Sequence, residues 1–171
     1  MKADGVGVNL SDFNNLNHDD AVAAIRPALD IPRWLEAIVE ARPFGSVGQI
    51  ADVARTAARP LTDEEIDRAL AHHPKIGERA HSESAEAQLS RGEQAGLGEA
   101  SESAAEQLER GNREYEDRFG HVFLIRAAGR SHAEILSELT RRMSNDPQTE
   151  RSEVAEQLRE IAVLRIEGML S

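Results

Sequence analysis

The sequence TDEEIDRALAHHPKIG, residues 62–77, predicts an amphipathic helix that stops on a histidine and a proline. Ile66, Leu70 and His73 recur at i, i+4 and i+7, so His73 continues the apolar face and is predicted to point toward the core. Pro74 disfavours helical geometry at the preceding residue and so ends the helix. An imidazole held at an inner helix end can exchange protons near neutral pH, although a purely structural histidine fits the same pattern.

Similar start signals divide the rest of the chain into helices. Residues typical of N-caps or of the first helical turn precede the apolar stripes at Asn17, Pro32, Ser46, Thr62, Ser101, Ser131 and Asp146-Pro147. The helix after Asn17 is predicted to run through Leu29. We therefore predict an all-α protein, a single compact bundle of about seven to nine helices. Residues 1–10 are predicted to be a mobile lead-in, and residues 11–171 a single domain.

The composition is that of a soluble helical protein without thiol chemistry. Hydrophobic residues make up 40% of the chain and charged residues 30%, and no apolar run approaches the roughly 20 residues that span a bilayer. The absence of cysteine excludes disulfides, thiolate catalysis and Cys-based metal sites. A formal charge of −11 argues against nucleic acid and anionic membranes as partners. Since the N-terminus has no signal-peptide pattern, we expect a cytoplasmic protein.

A polar stretch over residues 78–99 fits either a solvated loop or a weak helix. As a helix it would gather Ser90, Glu93 and Gln94 on one face, at i, i+3 and i+4. Such a face suits a ligand better than a core.

The apolar run at residues 122–125 is predicted to be a buried extended segment between two helices. Backbone amides and carbonyls there have no helical partners. Because buried backbone groups must be hydrogen-bonded, a polar ligand is one candidate partner.

Arg165 falls within the apolar stripe of the last predicted helix, in register with Val154, Leu158 and Ile161. A buried guanidinium cannot lose its charge, so it needs an anion. Glu93 and an anionic group of a substrate are the two obvious options.

The motifs that the sequence lacks disfavour cofactor chemistry without excluding it, and they leave histidine and carboxylate chemistry. The sequence has no Walker loop, glycine fingerprint, HExxH or GxSxG motif, and its six histidines form no convincing metal-binding spacing. The pattern leaves acid–base chemistry by His73 and Glu93 and electrostatic anchoring by Arg165.

An ordered set of short motifs covers nearly the whole chain, from about residue 11 to residue 170. The motifs are Leu16-Asn17, Arg42-Pro43-Phe44, His73-Pro74-x-Ile76-Gly77, Ser90-x-x-Glu93-Gln94-Ala95-Gly96-Leu97, Asn112-x-x-Tyr115, Phe119-Gly120, Phe123-Leu124-Ile125 and Leu164-Arg165-Ile166. Each motif alone is unspecific. The ordered combination resembles the 2-oxo-4-hydroxy-4-carboxy-5-ureidoimidazoline (OHCU) decarboxylase family.

The resemblance implies an all-helical, cofactor-independent, homodimeric enzyme without a metal. Its substrate would be a small anionic ureide, OHCU, converted to (S)-allantoin and CO2 in the third step of urate oxidation. By motif, His73 is implied to be the catalytic acid, Glu93 to orient the substrate and assist His73, and Arg165 to anchor an anion and a carbonyl. The other implied substrate contacts are Pro74, Ser90, Gln94 and the backbone of Phe123, Leu124, Ile125, Arg126 and Ala127.

Two positions depart from the family pattern beside those backbone contacts. His121-Val122 stands where an aromatic-Pro pair is frequent, and Arg126 where a small residue is usual. Two alternatives stay open. One is a related helical lyase acting on another ureide or cyclic amide, and the other is a non-catalytic helical ligand-binding protein in which His73 is structural and Arg165 pairs with Glu93.

Overall fold

The structure is a computed structural model that describes residues 8–73, Leu89, Glu93 and residues 102–171. Within these residues, eight helices have defined bounds and no strand is present. The helices are α1 (Leu10–Asn15), α2 (His18–Ile25), α3 (Pro32–Glu40), α4 (Val47–Thr56), α5 (Asp63–Leu70), α6 (Glu102–Phe119), α7 (His132–Arg142) and α8 (Pro147–Met169). The predicted all-α class is confirmed. Within those described ranges, no helix combines the length and apolar character needed to cross a membrane.

The chain forms two compact units, the first comprising Met1–Glu65 with Arg159–Ser171 and the second Ile66–Leu158, and the boundaries fall within α5 and α8. In the first unit, α1 packs on α2, α2 on α3, and α3 on α4. The buried Trp34 on α3 donates its indole N–H to the Ala54 carbonyl of α4 over 3.0 Å. In the second unit α6 packs on α7. The helices approach so closely there that a Cβ at Gly111 would overlap Leu139.

The predicted helix starts follow from side chains that accept backbone N–H groups in the first turn. Asn17 caps α2 by accepting from the Asp20 amide over 2.8 Å. Thr62 and Glu65 form a reciprocal capping box at α5. Thr62 Oγ1 accepts from the Glu65 N–H over 3.1 Å, and Glu65 Oε1 accepts from the Thr62 N–H over 2.9 Å. The predicted caps at Ser46, Ser131 and Asp146 are confirmed in the same way. The proposed cap at Ser101 lies outside the described residues.

The short helix α1 is a helix that the sequence interpretation missed. Asn9 accepts from the Asp12 amide over 2.8 Å and caps it, so a local signal was present. Arg42 donates from Nη1 to the carbonyls of Phe13 and Leu16, each over 2.8 Å, and thereby binds the end of α1. The Leu16-Asn17 and Arg42-Pro43-Phe44 motifs therefore have a structural role.

Two helices end earlier than their apolar periodicity predicts. The α2 helix ends at Ile25 rather than Leu29, because Pro27 has no N–H to donate to the preceding turn. The α5 helix ends at Leu70 rather than His73. After Leu70 the chain continues as a tight turn, in which the His73 N–H donates to the Leu70 carbonyl over 3.1 Å.

Candidate active site

His73 lies in the second unit, three residues beyond the end of α5. Ile66 and Leu70 are buried as predicted, whereas His73 is only partly buried and its neighbour His72 is exposed. The turn that ends α5 fixes the backbone at His73. An imidazole on fixed backbone with partial access to solvent is suited to proton transfer.

Glu93 and Leu89 are described within the predicted polar stretch, and both are helical and partly buried. They are four residues apart, which is one turn of a helix. The other predicted contacts from this part of the chain, Pro74, Ser90 and Gln94, lie outside the described residues. Glu93 belongs to the second unit, as His73 does.

Arg165 belongs to the first unit and is buried, with 4% of its surface exposed. The buried Ile161, Ala162 and Ile166 accompany it on α8, which confirms its predicted position on the apolar face. Its Nη1 donates to the Pro27 carbonyl over 3.0 Å. Because a guanidinium keeps its charge when buried, Arg165 supplies a fixed positive charge inside the protein.

The predicted substrate-contacting segment, residues 123–127, is neither helix nor strand. Phe123, Leu124, Ile125 and Ala127 are buried, and Arg126 is partly buried. This agrees with the predicted buried connection between helices. The guanidinium of Arg126 folds back to donate to the Ala128 carbonyl over 3.0 Å, and Arg130 donates to the Arg126 carbonyl over 2.9 Å.

Side chains from α7 and α8 bind the backbone of this segment. Arg142 Nη1 donates to the Leu124 carbonyl over 2.7 Å, and the Arg126 N–H donates to Gln157 Oε1 over 2.8 Å. The Arg142 guanidinium also lies over the Phe123 ring, 4.6 Å from its centroid. Part of the backbone hydrogen-bonding capacity that the sequence left open for a ligand is therefore taken by protein side chains.

Arg142 is held in turn by a buried ion pair with Glu150, in which the side chains are 1% and 0% exposed. Arg142 Nη2 and Nε donate to Glu150 Oε1 over 2.5 and 2.8 Å, and the Tyr115 hydroxyl donates to the same oxygen over 2.5 Å. Burial, reinforced by the hydrogen bond to Glu150, raises the pKa of the Tyr115 phenol, so it stays protonated and donating at neutral pH. We call Tyr115, Arg142 and Glu150 the buried network.

His121, one of the two departures from the family pattern, occupies an aromatic environment. Its ring meets the Tyr115 ring edge-on, with centroids 5.5 Å apart, and stacks on Phe119 at 6.3 Å. Its Nδ1 lies 3.1 Å from the Val122 carbonyl oxygen. The imidazole thus packs as an aromatic side chain would.

Arg142, Glu150 and Gln157 are absent from the residues predicted from sequence. The first two carry the same signal as Arg165, a charge in register with an apolar stripe. Gln157 carries none, because an amide on a long helix is usually exposed. In the described portions of the chain, no group of three or more histidine, aspartate or glutamate side chains is placed to hold a metal ion.

Comparisons with known proteins identify the family of the chain. The sequence profile described as OHCU decarboxylase matches residues 14–167. A 2-oxo-4-hydroxy-4-carboxy-5-ureidoimidazoline decarboxylase from Amia calva is 29% identical over 173 aligned residues, covering 95% of each chain. A uric acid degradation bifunctional protein from Bacillus sp. (strain TB-90) is 22% identical over 161 residues, and the match spans 94% of this chain but 32% of that protein.

Solved structures point to the same family as the sequence matches. A crystal structure of OHCU decarboxylase in the presence of (S)-allantoin superposes with a TM-score of 0.67 at 26% identity, covering 82% of this chain and 92% of that one. An (S)-allantoin synthase structure shares the fold, with a TM-score of 0.70 at 15% identity over 95% of this chain and 54% of that one. The chain belongs to the OHCU decarboxylase family, a family of carboxy-lyases in urate degradation.

Proposed function

We propose that this protein converts OHCU to (S)-allantoin and CO2 without a cofactor. The observation that supports this most strongly is the family match over residues 14–167, together with the match to the Amia calva decarboxylase over 95% of both chains. The specific substrate, the stereochemistry and the cofactor independence are part of the proposal. So are a homodimeric assembly and a cytoplasmic location.

The substrate itself supplies the route for the electrons. OHCU carries its carboxylate on a carbon next to an imine-like ring bond. When the bond to the carboxylate breaks, CO2 leaves and the electron pair moves into the ring. The pair forms a double bond between the carbon that lost CO2, which bears the hydroxyl, and the neighbouring imine carbon, which bears the ureido group. A proton must then be delivered to this ureido-bearing carbon while the hydroxyl becomes a ring carbonyl, and the face that receives the proton decides which enantiomer of allantoin forms. The protein has to position the carboxylate, stabilise the delocalised charge and deliver the proton.

The residues present can be assigned to these three tasks. His73 delivers the proton as general acid, and Glu93 orients the ring and assists His73. Arg165 anchors the carboxylate and a ring carbonyl by its fixed charge. The backbone of residues 123–127, with Pro74, Ser90 and Gln94, provides the remaining hydrogen bonds and shape. Partial burial of His73 and near-complete burial of Arg165 support their respective roles.

Optical activity of the product tests the proposed reaction. In water, protonation from either face yields racemic allantoin. Added in catalytic amounts to freshly generated OHCU, the protein is expected to accelerate the decay of OHCU and to leave an excess of the S enantiomer. Chiral chromatography of the allantoin measures this excess, and heat-inactivated protein is the control. A racemic product formed at the uncatalysed rate would contradict the proposal.

Replacing Arg165 tests the anchoring of the anion. A carboxylate-bearing cyclic ureide is expected to raise the melting temperature of the wild type more than that of Arg165→Gln. A ligand at a free concentration of about 100 times Kd stabilises a protein by about 2.7 kcal/mol, and thermal scanning resolves a change of this size. With the same ureide without its carboxylate, the difference between the two proteins should be smaller, because Arg165 then contributes only its contact to the ring carbonyl.

Arg159→Gln is the matched control for this experiment. Arg159 is also a buried arginine on α8, but its Nη1 donates to the Ala57 carbonyl over 2.7 Å and its Nη2 to the Ala58 carbonyl over 2.8 Å. We expect Arg159→Gln to lower the starting melting temperature but to retain the ligand-induced shift. Equal ligand-induced shifts in wild type and Arg165→Gln would instead assign Arg165 a structural role.

A further inference from the structure

The main chain around Ile125 is held on both sides by side chains from two different helices. Arg142, the last residue of α7, donates to the carbonyl of Leu124, which is the residue before Ile125. Gln157, in the middle of α8, accepts from the N–H of Arg126, which is the residue after Ile125. These contacts are 2.7 and 2.8 Å long, within the range of well-formed hydrogen bonds.

The backbone N–H and carbonyl of Ile125 itself are not bound by these side chains. The residue is 5% exposed, and its N–H and carbonyl hydrogen-bond to none of the residues that the structure describes. Buried backbone groups are nearly always paired with protein, water or ligand. A cyclic ureide offers alternating N–H and C=O groups, which is the pattern that a backbone N–H and carbonyl complement.

From this arrangement we propose that Gln157 and Arg142 are positioning residues, which fix the backbone of Ile125 for hydrogen bonding to the ureide substrate. The inference rests on the proposed function and adds residues that do not themselves touch substrate. Arg142 is fixed by the buried network, whereas Gln157 makes a single contact to the segment. Gln157 is therefore the better probe, because its loss disturbs the rest of the unit least.

Two substitutions at Gln157 separate positioning from stability. Gln157→Leu removes the acceptor for the Arg126 N–H, whereas Gln157→Glu keeps a carboxylate oxygen at the same reach. We expect Gln157→Leu to raise KM for OHCU about tenfold, the cost of about one lost hydrogen bond, with kcat within about threefold of wild type. Gln157→Glu should restore KM to within about twofold of wild type. Partial unfolding would lower the apparent kcat instead and leave KM unchanged.

A matched control comes from the same helix. Gln148 is exposed in the first turn of α8, so Gln148→Leu makes the same chemical change away from the segment and should leave KM unchanged. Hydrogen exchange at the Arg126 amide gives a second readout, with faster exchange expected in Gln157→Leu than in wild type or Gln157→Glu.

The outcomes distinguish this inference from the function on which it rests. A wild type that does not turn over OHCU overturns the proposed function and, with it, the role of Gln157. An active wild type whose KM is unchanged in Gln157→Leu overturns the positioning role alone. Equal increases of KM in Gln157→Leu and Gln157→Glu would also overturn it, since the acceptor would then be irrelevant.

Discussion

His73→Ala is expected to lower kcat/KM for OHCU by about 10² to 10⁴-fold, the usual contribution of a positioned general acid. The free energy of unfolding should change by less than about 1 kcal/mol, because His73 lies outside α5 and is only partly buried. Steady-state kinetics and urea unfolding of the same preparations measure the two quantities. A large loss of activity in a protein of unchanged stability is the signature of a catalytic rather than a structural histidine.

The adjacent histidine provides the control for this prediction. His72 is exposed and lies in the same turn, so His72→Ala changes the local sequence to the same extent. We expect His72→Ala to retain activity within about threefold of wild type, as is usual for an exposed residue outside an active site. A fully active His73→Ala, or an equal loss in both variants, would remove His73 from the mechanism.

Breaking the buried network should have the largest effect on stability. Arg142→Met leaves the Glu150 carboxylate 0% exposed without the guanidinium that donates to it from Nε and Nη2. Removing one partner of a buried ion pair usually costs about 3–5 kcal/mol, because the other charge remains desolvated. We expect a decrease of that size in the free energy of unfolding, measured by urea denaturation at neutral pH.

Two further variants distinguish a buried-charge effect from a general loss of packing. Arg142→Met combined with Glu150→Met removes both charges, so it should be less destabilised than the sum of the single variants. Arg141→Met removes the neighbouring arginine, which is 51% exposed and paired with Glu138 and Glu153, and should cost less than about 1 kcal/mol. If Arg142→Met and Arg141→Met both lowered the free energy of unfolding by less than about 1 kcal/mol, the buried network would not contribute substantially to stability.

Much of the fold could be predicted from the sequence because helix starts are set by local contacts. A capping side chain such as Asn17 or Thr62 binds an amide only three residues away, so its partner is visible in the sequence. Helix ends are less local. The end of α2 depends on how Pro27 interrupts a continuing apolar pattern, and periodicity alone extends both α2 and α5 too far.

The burial of Arg165 was predictable, and that of Arg142 and Glu150 would have been by the same reasoning. Arg142 follows Ile135 and Leu139 at i, i+4 and i+7, and Glu150 precedes Val154 by four residues. The sequence could not show that these two charges meet, because their pairing depends on how α7 is placed against the start of α8.

The backbone contacts of residues 123–127 show a second limit of sequence reasoning. A buried, non-helical segment needs hydrogen-bond partners, and that requirement is visible in its composition. Whether the partner is a ligand or a side chain such as Gln157 is a question of tertiary structure. The contacts assigned from motifs alone, Pro74, Ser90 and Gln94, remain predictions.

The most direct test of the central claim follows freshly generated OHCU by circular dichroism in three parallel samples: wild type, His73→Ala and buffer. If His73 delivers the proton to one face, the wild-type sample alone should convert OHCU rapidly to a product with the dichroism of (S)-allantoin. The His73→Ala sample should then resemble buffer and end without optical activity. A wild-type trace that coincides with buffer, or a His73→Ala trace that coincides with wild type, would contradict the account.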